Sequence, residues 1–149
     1  MAVTILNRSK RNGYCASTSN YYKNLIAAAE YGLNPEVHVY RFPGKELAFR
    51  FKADTTIRLL DMVFSRDGRY LLMIGGIPDF RISVYDLEQN KKIAIKPETK
   101  LPCNAQDYRK VKFNPTNDRE FAILTSSAIF FYTMVEGFEG VPVEGGNGG

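Results

Sequence analysis

Residues 82–87 read Ile-Ser-Val-Tyr-Asp-Leu, and this stretch decides the fold because the chain contains three versions of it. The other two read Val-His-Val-Tyr-Arg-Phe at residues 37–42 and Ile-Phe-Phe-Tyr-Thr-Met at residues 129–134. Each is rich in the β-branched and aromatic residues that strands favour. Their tyrosines are separated by 45 and 47 positions, at Tyr40, Tyr85 and Tyr132. A strand-rich repeat with a period in the forties is typical of β-propeller blades.

The middle repeat shows the pattern of one blade most clearly. Ser-Arg-Asp-Gly at residues 65–68 is turn chemistry, because Asp and Gly tolerate the backbone angles of a tight hairpin. The apolar run that follows is typical of a strand buried on both faces. Ile93 and Ile95 alternate as in a half-exposed outer strand. We predict strands at residues 60–64, 70–74, 80–87 and 92–96, followed by a linker at residues 97–102.

The first and third repeats follow the same plan less closely. Residues 24–30 contain Leu-Ile-Ala-Ala-Ala-Glu, which favours a helix in isolation. They align with residues 70–76, so we predict a strand there. Further strands are predicted at residues 13–18 and 47–51 in the first repeat, and at residues 111–115, 121–124 and 128–134 in the third, where no fourth strand is evident.

The sequence therefore predicts an all-β fold, a partial propeller of about two and a half to three blades. We place an N-terminal segment at residues 1–12, the partial propeller at residues 13–136 and a flexible Gly-rich tail at residues 137–149. Propellers close with roughly 4 to 8 blades, so another chain or further sequence is expected to complete the ring. The blades are predicted at about residues 13–52, 59–96 and 108–134.

Composition narrows the classes of partner. The net charge of +4 comes from 20 basic and 16 acidic residues that are spread along the chain. Such a spread predicts a solvated surface and no nucleic-acid footprint, and leaves attraction to an acidic partner open. Cys15 and Cys103 fit neither a metal spacing nor a disulfide framework, and indicate buried thiols in a reducing compartment. Neither a signal peptide nor a membrane span is evident, which favours the cytoplasm.

Catalytic motifs are missing from the sequence. His38 is the sole histidine, without the serine elbow or second histidine that a nucleophilic or zinc site needs. We therefore predict no enzyme, with no catalytic, cofactor-binding or metal-binding residues. The three recurring tyrosines are interpreted as core or blade-interface residues. Four aspartates lie in the middle repeat, and two of them are interpreted as turn residues that bond nearby amides: Asp61, Asp67, Asp79 and Asp86, with Asp67 and Asp79 in the turns.

Residues 82–87 resemble the WD-repeat signature, with Tyr85-Asp86 where Trp-Asp usually stands and no Gly-His dipeptide before the strands. The blades are therefore identified as WD40-like. A narrower resemblance lies in the order of three motifs, Val-Tyr-Arg-Phe-Pro-Gly at 39–44, Pro-Asp-Phe at 78–80 and Phe-Asn-Pro-Thr-Asn at 113–117. Together they resemble the N-terminal propeller of the ciliary WD-repeat group that contains cilia- and flagella-associated proteins forty-three and forty-four. That resemblance covers residues 13–137.

The resemblance implies a structural role in the axoneme of a cilium or flagellum, within the cytoskeleton. It implies a place in the tether that links an inner-arm dynein to the doublet microtubule. The expected partners are a dynein heavy chain, the doublet microtubule and a companion WD-repeat protein, contacted by the loops that rigid blades hold in place. The alternative is a general WD-repeat adaptor in another cytoplasmic complex, such as one for translation initiation or ubiquitin ligation. A propeller enzyme is a third and weaker reading.

Overall fold

The computed structural model describes residues 1–5, 13–93 and 99–134. Within these residues the chain is all β, with twelve strands in three antiparallel sheets. No helix long and apolar enough to cross a membrane occurs among them. The strands are β1 (Tyr14–Asn20), β2 (Leu25–Glu30), β3 (Glu36–Arg41), β4 (Leu47–Lys52), β5 (Leu59–Phe64), β6 (Tyr70–Gly75), β7 (Arg81–Asp86), β8 (Lys91–Ile93), β9 (Thr99–Lys100), β10 (Tyr108–Asn114), β11 (Asn117–Thr125) and β12 (Ile129–Thr133).

Each sheet is one blade, and sequential strands are neighbours within it. Blade 1 has the order β1-β2-β3-β4, blade 2 the order β5-β6-β7-β8, and blade 3 the order β10-β11-β12. The sheets pack face to face, with one apolar cluster between blades 1 and 2 and a second between blades 2 and 3. The prediction of a partial all-β propeller is confirmed.

Local predictions met different outcomes. The alanine-rich segment of the first repeat is a strand, β2, as its alignment predicted and against its helix propensity. The predicted linker at residues 97–102 is wrong in part, because β9 lies within it and pairs with Arg81 and Ile82 of β7. Backbone pairing with β7 stabilises a strand at residues 99–100, although the local sequence favours a turn. The predictions that involve Ile95, residues 6–12 and the tail at 137–149 fall outside the described residues.

Strand β6 is the centre of the fold, since all six of its residues are buried. Successive side chains of a strand point to opposite faces. Leu71 and Met73 accordingly join the cluster shared with blade 1, while Leu72 and Ile74 join the cluster shared with blade 3. Each such burial contributes roughly 1.5–3 kcal/mol, so this strand links the two interfaces energetically.

Two of the three recurring tyrosines, Tyr85 and Tyr132, face the blade that precedes their own. Tyr85 stacks on Phe51 of blade 1, with ring centroids 3.7 Å apart and an interplanar angle of 4°. Tyr132 stacks on Phe121 in its own blade and packs against the cluster between blades 2 and 3. Tyr40 is half-buried on the side of blade 1 that faces away from blade 2. The interface prediction is therefore confirmed for Tyr85 and Tyr132, while Tyr40 packs between no two described blades.

Asp86, at the end of β7, is a buried carboxylate that accepts several hydrogen bonds. It is 1% exposed and accepts hydrogen bonds from Arg69 Nε at 3.2 Å and Nη2 at 3.0 Å. The backbone N–H groups of Glu88 and Gln89 also donate to its Oδ1. Burial alone would raise the pKa of Asp86, but these donors outweigh it and hold that pKa below its ordinary value. The hydrogen bond to Asp86 raises the pKa of Arg69. An arginine thus partners the signature aspartate.

Candidate protein-interaction surface

One end of the molecule carries the turns that join the first two strands of each blade. These turns, at residues 21–24, 65–69 and 115–116, come together around one groove of about 470 Å³. We call this end the turn face. Its groove is lined by Tyr22, Lys23, Arg66, Asp67, Asn114, Pro115, Thr116, Asn117 and Asp118. Residues of three adjacent blades therefore line one continuous surface.

A buried asparagine fixes two of these turns relative to each other. Asn20, only 6% exposed, donates from Nδ2 to the carbonyl oxygens of Ser65 at 3.1 Å and Arg66 at 2.9 Å. Its Oδ1 accepts the backbone N–H of Lys23 at 2.8 Å. We call this arrangement the Asn20 clamp. Because it satisfies backbone groups of both blades, the turns of blades 1 and 2 form one rigid unit.

Gly68 is required beside the clamp. Its φ of +77° lies in the left-handed region that side chains disfavour. A Cβ atom at this position would also lie 2.7 Å from Asn20 Oδ1, closer than contact permits. Gly68 is therefore needed for two reasons: the hairpin turn requires its positive φ, and Asn20 of blade 1 lies too close for a side chain.

Two adjacent tyrosines project from the turn of blade 1. Tyr21 is 85% exposed and Tyr22 is 58% exposed, with the rings edge to face at a centroid distance of 5.4 Å. The guanidinium carbon of Arg66 lies 5.3 Å from the Tyr22 ring centroid, and its Nη2 donates to Tyr22 Oη at 2.8 Å. Exposed Tyr and Arg side chains held in place are the residue types that dominate binding energy at protein interfaces.

The rest of the groove is shaped by the third turn and by an internally bonded acid. Asn114 Oδ1 accepts the backbone N–H of Thr116, which stabilises the turn of blade 3. Burial acts to raise the pKa of Asp67, but the backbone N–H of Arg69 and the hydroxyl of Ser65 lower it further than burial raises it. The prediction that Asp67 caps its own turn is confirmed. Lys23 and Arg66 remain as cations along the groove.

His38 belongs to a bonded network on the far side of blade 1. Its Nδ1 lies 3.0 Å from Tyr14 Oη, and its Nε2 lies 3.3 Å from Glu36 Oε1. Glu30, Glu36 and His38 offer ligand atoms within 4.8 Å of one another, so they could in principle hold a cation. However, Glu30 Oε1 accepts the N–H of Glu36, and Arg50 Nε lies 3.6 Å from Glu36 Oε1. These groups satisfy one another, and we assign no metal to them.

The remaining aspartates of the middle repeat join separate parts of the fold. Asp61 accepts a hydrogen bond of 2.6 Å from Tyr108 of blade 3, and burial followed by this contact raises the pKa of Tyr108. Asp79 was expected to bond amides of its own turn. It instead accepts from the backbone N–H and hydroxyl of Thr56 and the hydroxyl of Thr55, which outweigh burial and lower its pKa. Neither carboxylate faces the turn face groove.

The two cysteines are free and half-buried. Cys15 Sγ lies 3.5 Å from the carbonyl oxygen of Glu30 and 3.7 Å from that of Leu59, which places it at the seam between blades 1 and 2. Burial raises the pKa of the Cys103 thiol and so disfavours its reactive thiolate form. Both thiols take part in packing.

The sequence predicted that loops between the strands bind partners, but it did not indicate which loops. Tyr21 and Tyr22 could have been found, because two adjacent tyrosines between predicted strands are unusual in a turn. The Arg66 partnership could not, since it joins residues 44 positions apart.

The blades and their turns define this chain as a partial β-propeller. The β-propeller domain of Cps50 (Swd1) from Myceliophteria thermophila has the same fold, with a TM-score of 0.65 at 17% identity. The match covers 88% of this chain and 37% of that chain. A family model described as the CFAP43 N-terminal domain matches residues 13–142. The chain belongs to this family, and the resemblance seen in the sequence is confirmed.

Two mouse proteins illustrate the relationship. Cilia- and flagella-associated protein 44 of Mus musculus is 28% identical over 144 residues, which is 96% of this chain and 8% of that protein. Cilia- and flagella-associated protein 43 of Mus musculus is 22% identical over 116 residues, which is 78% of this chain and 7% of that protein. The chain thus spans less than a tenth of the length of these relatives.

Proposed function

We propose that this chain is a structural, protein-binding component of the axoneme of a cilium or flagellum. Its family membership carries the proposal, because the relatives are named as cilia- and flagella-associated proteins. The turn face supports it, since exposed aromatic and basic side chains on a rigid frame suit protein recognition. In this proposal the chain acts by binding other proteins and holding them in a fixed geometry, and it catalyses no reaction.

At finer detail, the chain contributes to the tether between an inner-arm dynein and the doublet microtubule. The dynein heavy chain, the doublet and a companion WD-repeat protein are its partners in this proposal. A tether needs surfaces that keep their geometry under load. The Asn20 clamp supplies that property, because it joins turns of two blades through buried hydrogen bonds.

The test is localisation followed by proximity labelling of the tagged full chain in ciliated cells. We expect signal along the axoneme and labelling of dynein and tubulin subunits. Replacing both Tyr22 and Arg66 with Ala should reduce labelling of the contacted partner at least tenfold, as loss of an interface hot spot does. The matched control is the double variant Tyr31→Ala with Arg58→Ala, because Arg58 lies over the Tyr31 ring at the opposite end of the blades.

One result would count against the ciliary role, and another against the turn face as its binding surface. A chain that stays out of the cilium while labelling ribosomal or ubiquitin-ligase subunits would favour the general adaptor. Axonemal localisation with equal losses in both double variants would retain the ciliary role and reject the turn face as its binding surface.

A further inference from the structure

A second turn of blade 1 extends the turn face beside the groove. This turn joins β3 to β4 at residues 42–46. The backbone N–H of Phe42 donates to the carbonyl oxygen of Asn24 at 2.8 Å, which holds it next to the turn at residues 21–24. Phe42 is 52% exposed and Tyr22 is 58% exposed, so the two turns present aromatic rings to solvent on the same end of the blades.

Four exposed basic side chains on or beside these turns form no ion pair with any carboxylate in the part of the chain that the structure describes. They are Lys23, Arg41, Lys45 and Arg66. The Lys45 ammonium donates to the carbonyl oxygen of Pro43 at 3.3 Å. We call the four cations, together with the rings of Tyr22 and Phe42, the basic corner.

The acids on the same turns only partly offset these cations. Residues 21–24, 41–46 and 65–68 contain the four basic side chains and two acidic ones, Glu46 and Asp67, which leaves a net charge of +2. Asp67 Oδ1 already accepts two hydrogen bonds within its own turn. The basic corner therefore attracts negative charge from outside the chain.

The guanidinium of Arg66 is held in place by Tyr22. Its Nη2 donates to Tyr22 Oη at 2.8 Å, and its central carbon lies 5.3 Å from the centroid of that ring. A guanidinium carries several further N–H groups, in a planar arrangement that matches a carboxylate. Because a side chain that is already ordered loses less entropy on binding, Arg66 is suited to charge-assisted hydrogen bonds with an external carboxylate.

The aromatic rings of the basic corner favour a polypeptide over a nucleic acid as the occupant. Sites for single-stranded nucleic acid use open aromatic faces on which bases stack. Arg66 covers one face of Tyr22, so that ring offers a poor platform for a base. Aromatic and arginine side chains are enriched at protein interfaces, where they contact apolar and acidic side chains together.

We propose that the basic corner binds an acidic segment of a partner protein, with Asp or Glu side chains on the four cations and apolar side chains on the two rings. The inference rests on the proposed protein-binding function and adds the chemistry of the partner. The segment lies over blades 1 and 2, because Asp118 on the blade 3 side of the groove repels carboxylates. The attraction to an acidic partner that the overall charge left open is thereby assigned to one surface.

Fluorescence anisotropy of a labelled Glu-rich peptide tests the proposal with the full chain. We expect saturable binding, and none for the matched peptide that carries Gln in place of Glu. Raising the salt concentration from about 0.1 M to 1 M shortens the Debye length from about 10 Å to 3 Å and should weaken binding at least tenfold. This comparison uses the unchanged chain, so it holds whatever a substitution does to folding.

Charge reversal locates the contact. The double variant Lys23→Glu with Arg66→Glu should weaken peptide binding at least tenfold. Its control is Lys52→Glu with Arg58→Glu, which makes the same change in net charge near the opposite end of the blades and should stay within about twofold of wild type. Asp118→Asn should tighten binding about twofold, because it removes a repulsive charge. Circular dichroism checks that each variant keeps the wild-type fold.

Several outcomes would overturn the acidic segment. They are equal binding of the Gln peptide, equal losses in the two double variants, and tighter binding of a labelled single-stranded RNA or of anionic vesicles. Failure of the ciliary role is a different result. A chain that binds the Glu-rich peptide through the basic corner but stays out of the cilium would reject that role alone. A ciliary chain that loses its partner on replacement of Tyr22 and Arg66, yet binds no Glu-rich peptide, would reject the acidic segment alone.

Discussion

The Arg69 and Asp86 side chains show how one charged pair replaces a family network. WD-repeat propellers are expected to bond the signature aspartate to a histidine, and the sequence offers no Gly-His dipeptide for this. Arg69 takes that place through two hydrogen bonds and also lies 3.4 Å from Glu88. The hydrogen bonds from Arg69 keep Asp86 charged, and Asp86 in turn stabilises the turn after β7.

Replacing Asp86 with Asn should lower the free energy of unfolding by about 2 kcal/mol at pH 7, the magnitude of hydrogen bonds to a charged group. The buried carboxylate would become a neutral amide with an Nδ2 donor in place of one acceptor oxygen, while Arg69 kept its charge. Urea denaturation measures the change. Glu88→Gln is the control and should cost under 0.5 kcal/mol, because Glu88 is 63% exposed. Equal losses in both variants would contradict the assigned role of Asp86.

The pH dependence of stability follows from the same carboxylate. The pKa of Asp86 is lower in the folded chain than its ordinary value, and Asp67 and Asp79 share this direction. Their stabilisation is complete above the unfolded pKa of about 4 and is lost as the pH falls through the folded values. We expect unfolding free energies to fall between pH 5 and pH 2, with a shallower fall for Asp86→Asn. An unchanged slope in that variant would exclude Asp86 as a source.

Strands illustrate what sequence reasoning could and could not supply. The tyrosine strands and β6 were predictable, because period-two alternation and a continuous apolar run report burial directly. Strand β2 was predictable only by aligning repeats, since its alanines favour a helix. Strand β9 is two residues long, and it pairs with residues of β7 that lie 17 and 19 positions earlier in the chain. The turn face required contacts across blades, which no local pattern encodes.

The stacking of β4 on β7 makes blade packing testable. Phe51→Ala should reduce the free energy of unfolding by roughly 3–4 kcal/mol, because it removes a buried ring and opens a cavity against Tyr85. Thermal or urea unfolding of the purified chain checks this. Tyr21→Ala removes an aromatic ring that is 85% exposed and should change stability by less than 0.5 kcal/mol. A small effect of Phe51→Ala would show that blades 1 and 2 pack differently.

The three blades form an arc whose two outer faces have no described neighbour. Blade 2 is covered on both sides, while Phe131 and Ile129 of blade 3 are largely exposed. Exposed apolar surface of this kind usually marks an interaction site. Completion of the ring by another chain or by further sequence stays a prediction.

The purified chain should bind a hydrophobic dye in its native state, because Ile129 and Phe131 are largely exposed. Phe131→Asp should reduce the dye fluorescence at least twofold, because it removes a large apolar side chain that is 82% exposed. Fluorescence titration with anilinonaphthalene sulfonate measures this, and Leu33→Asp is the control. Strong dye binding that is unaffected by Phe131→Asp would place the exposed apolar surface elsewhere.

The Asn20 clamp has a consequence for the thermodynamics of recognition. Ordering flexible loops on binding costs conformational entropy, which lowers affinity and slows the formation of a productive complex. Hydrogen bonds from one buried side chain already hold the turns of blades 1 and 2 at a fixed separation before any partner arrives. A ligand of the turn face therefore meets a preorganised surface, and its affinity depends on the contacts it makes with little lost to ordering.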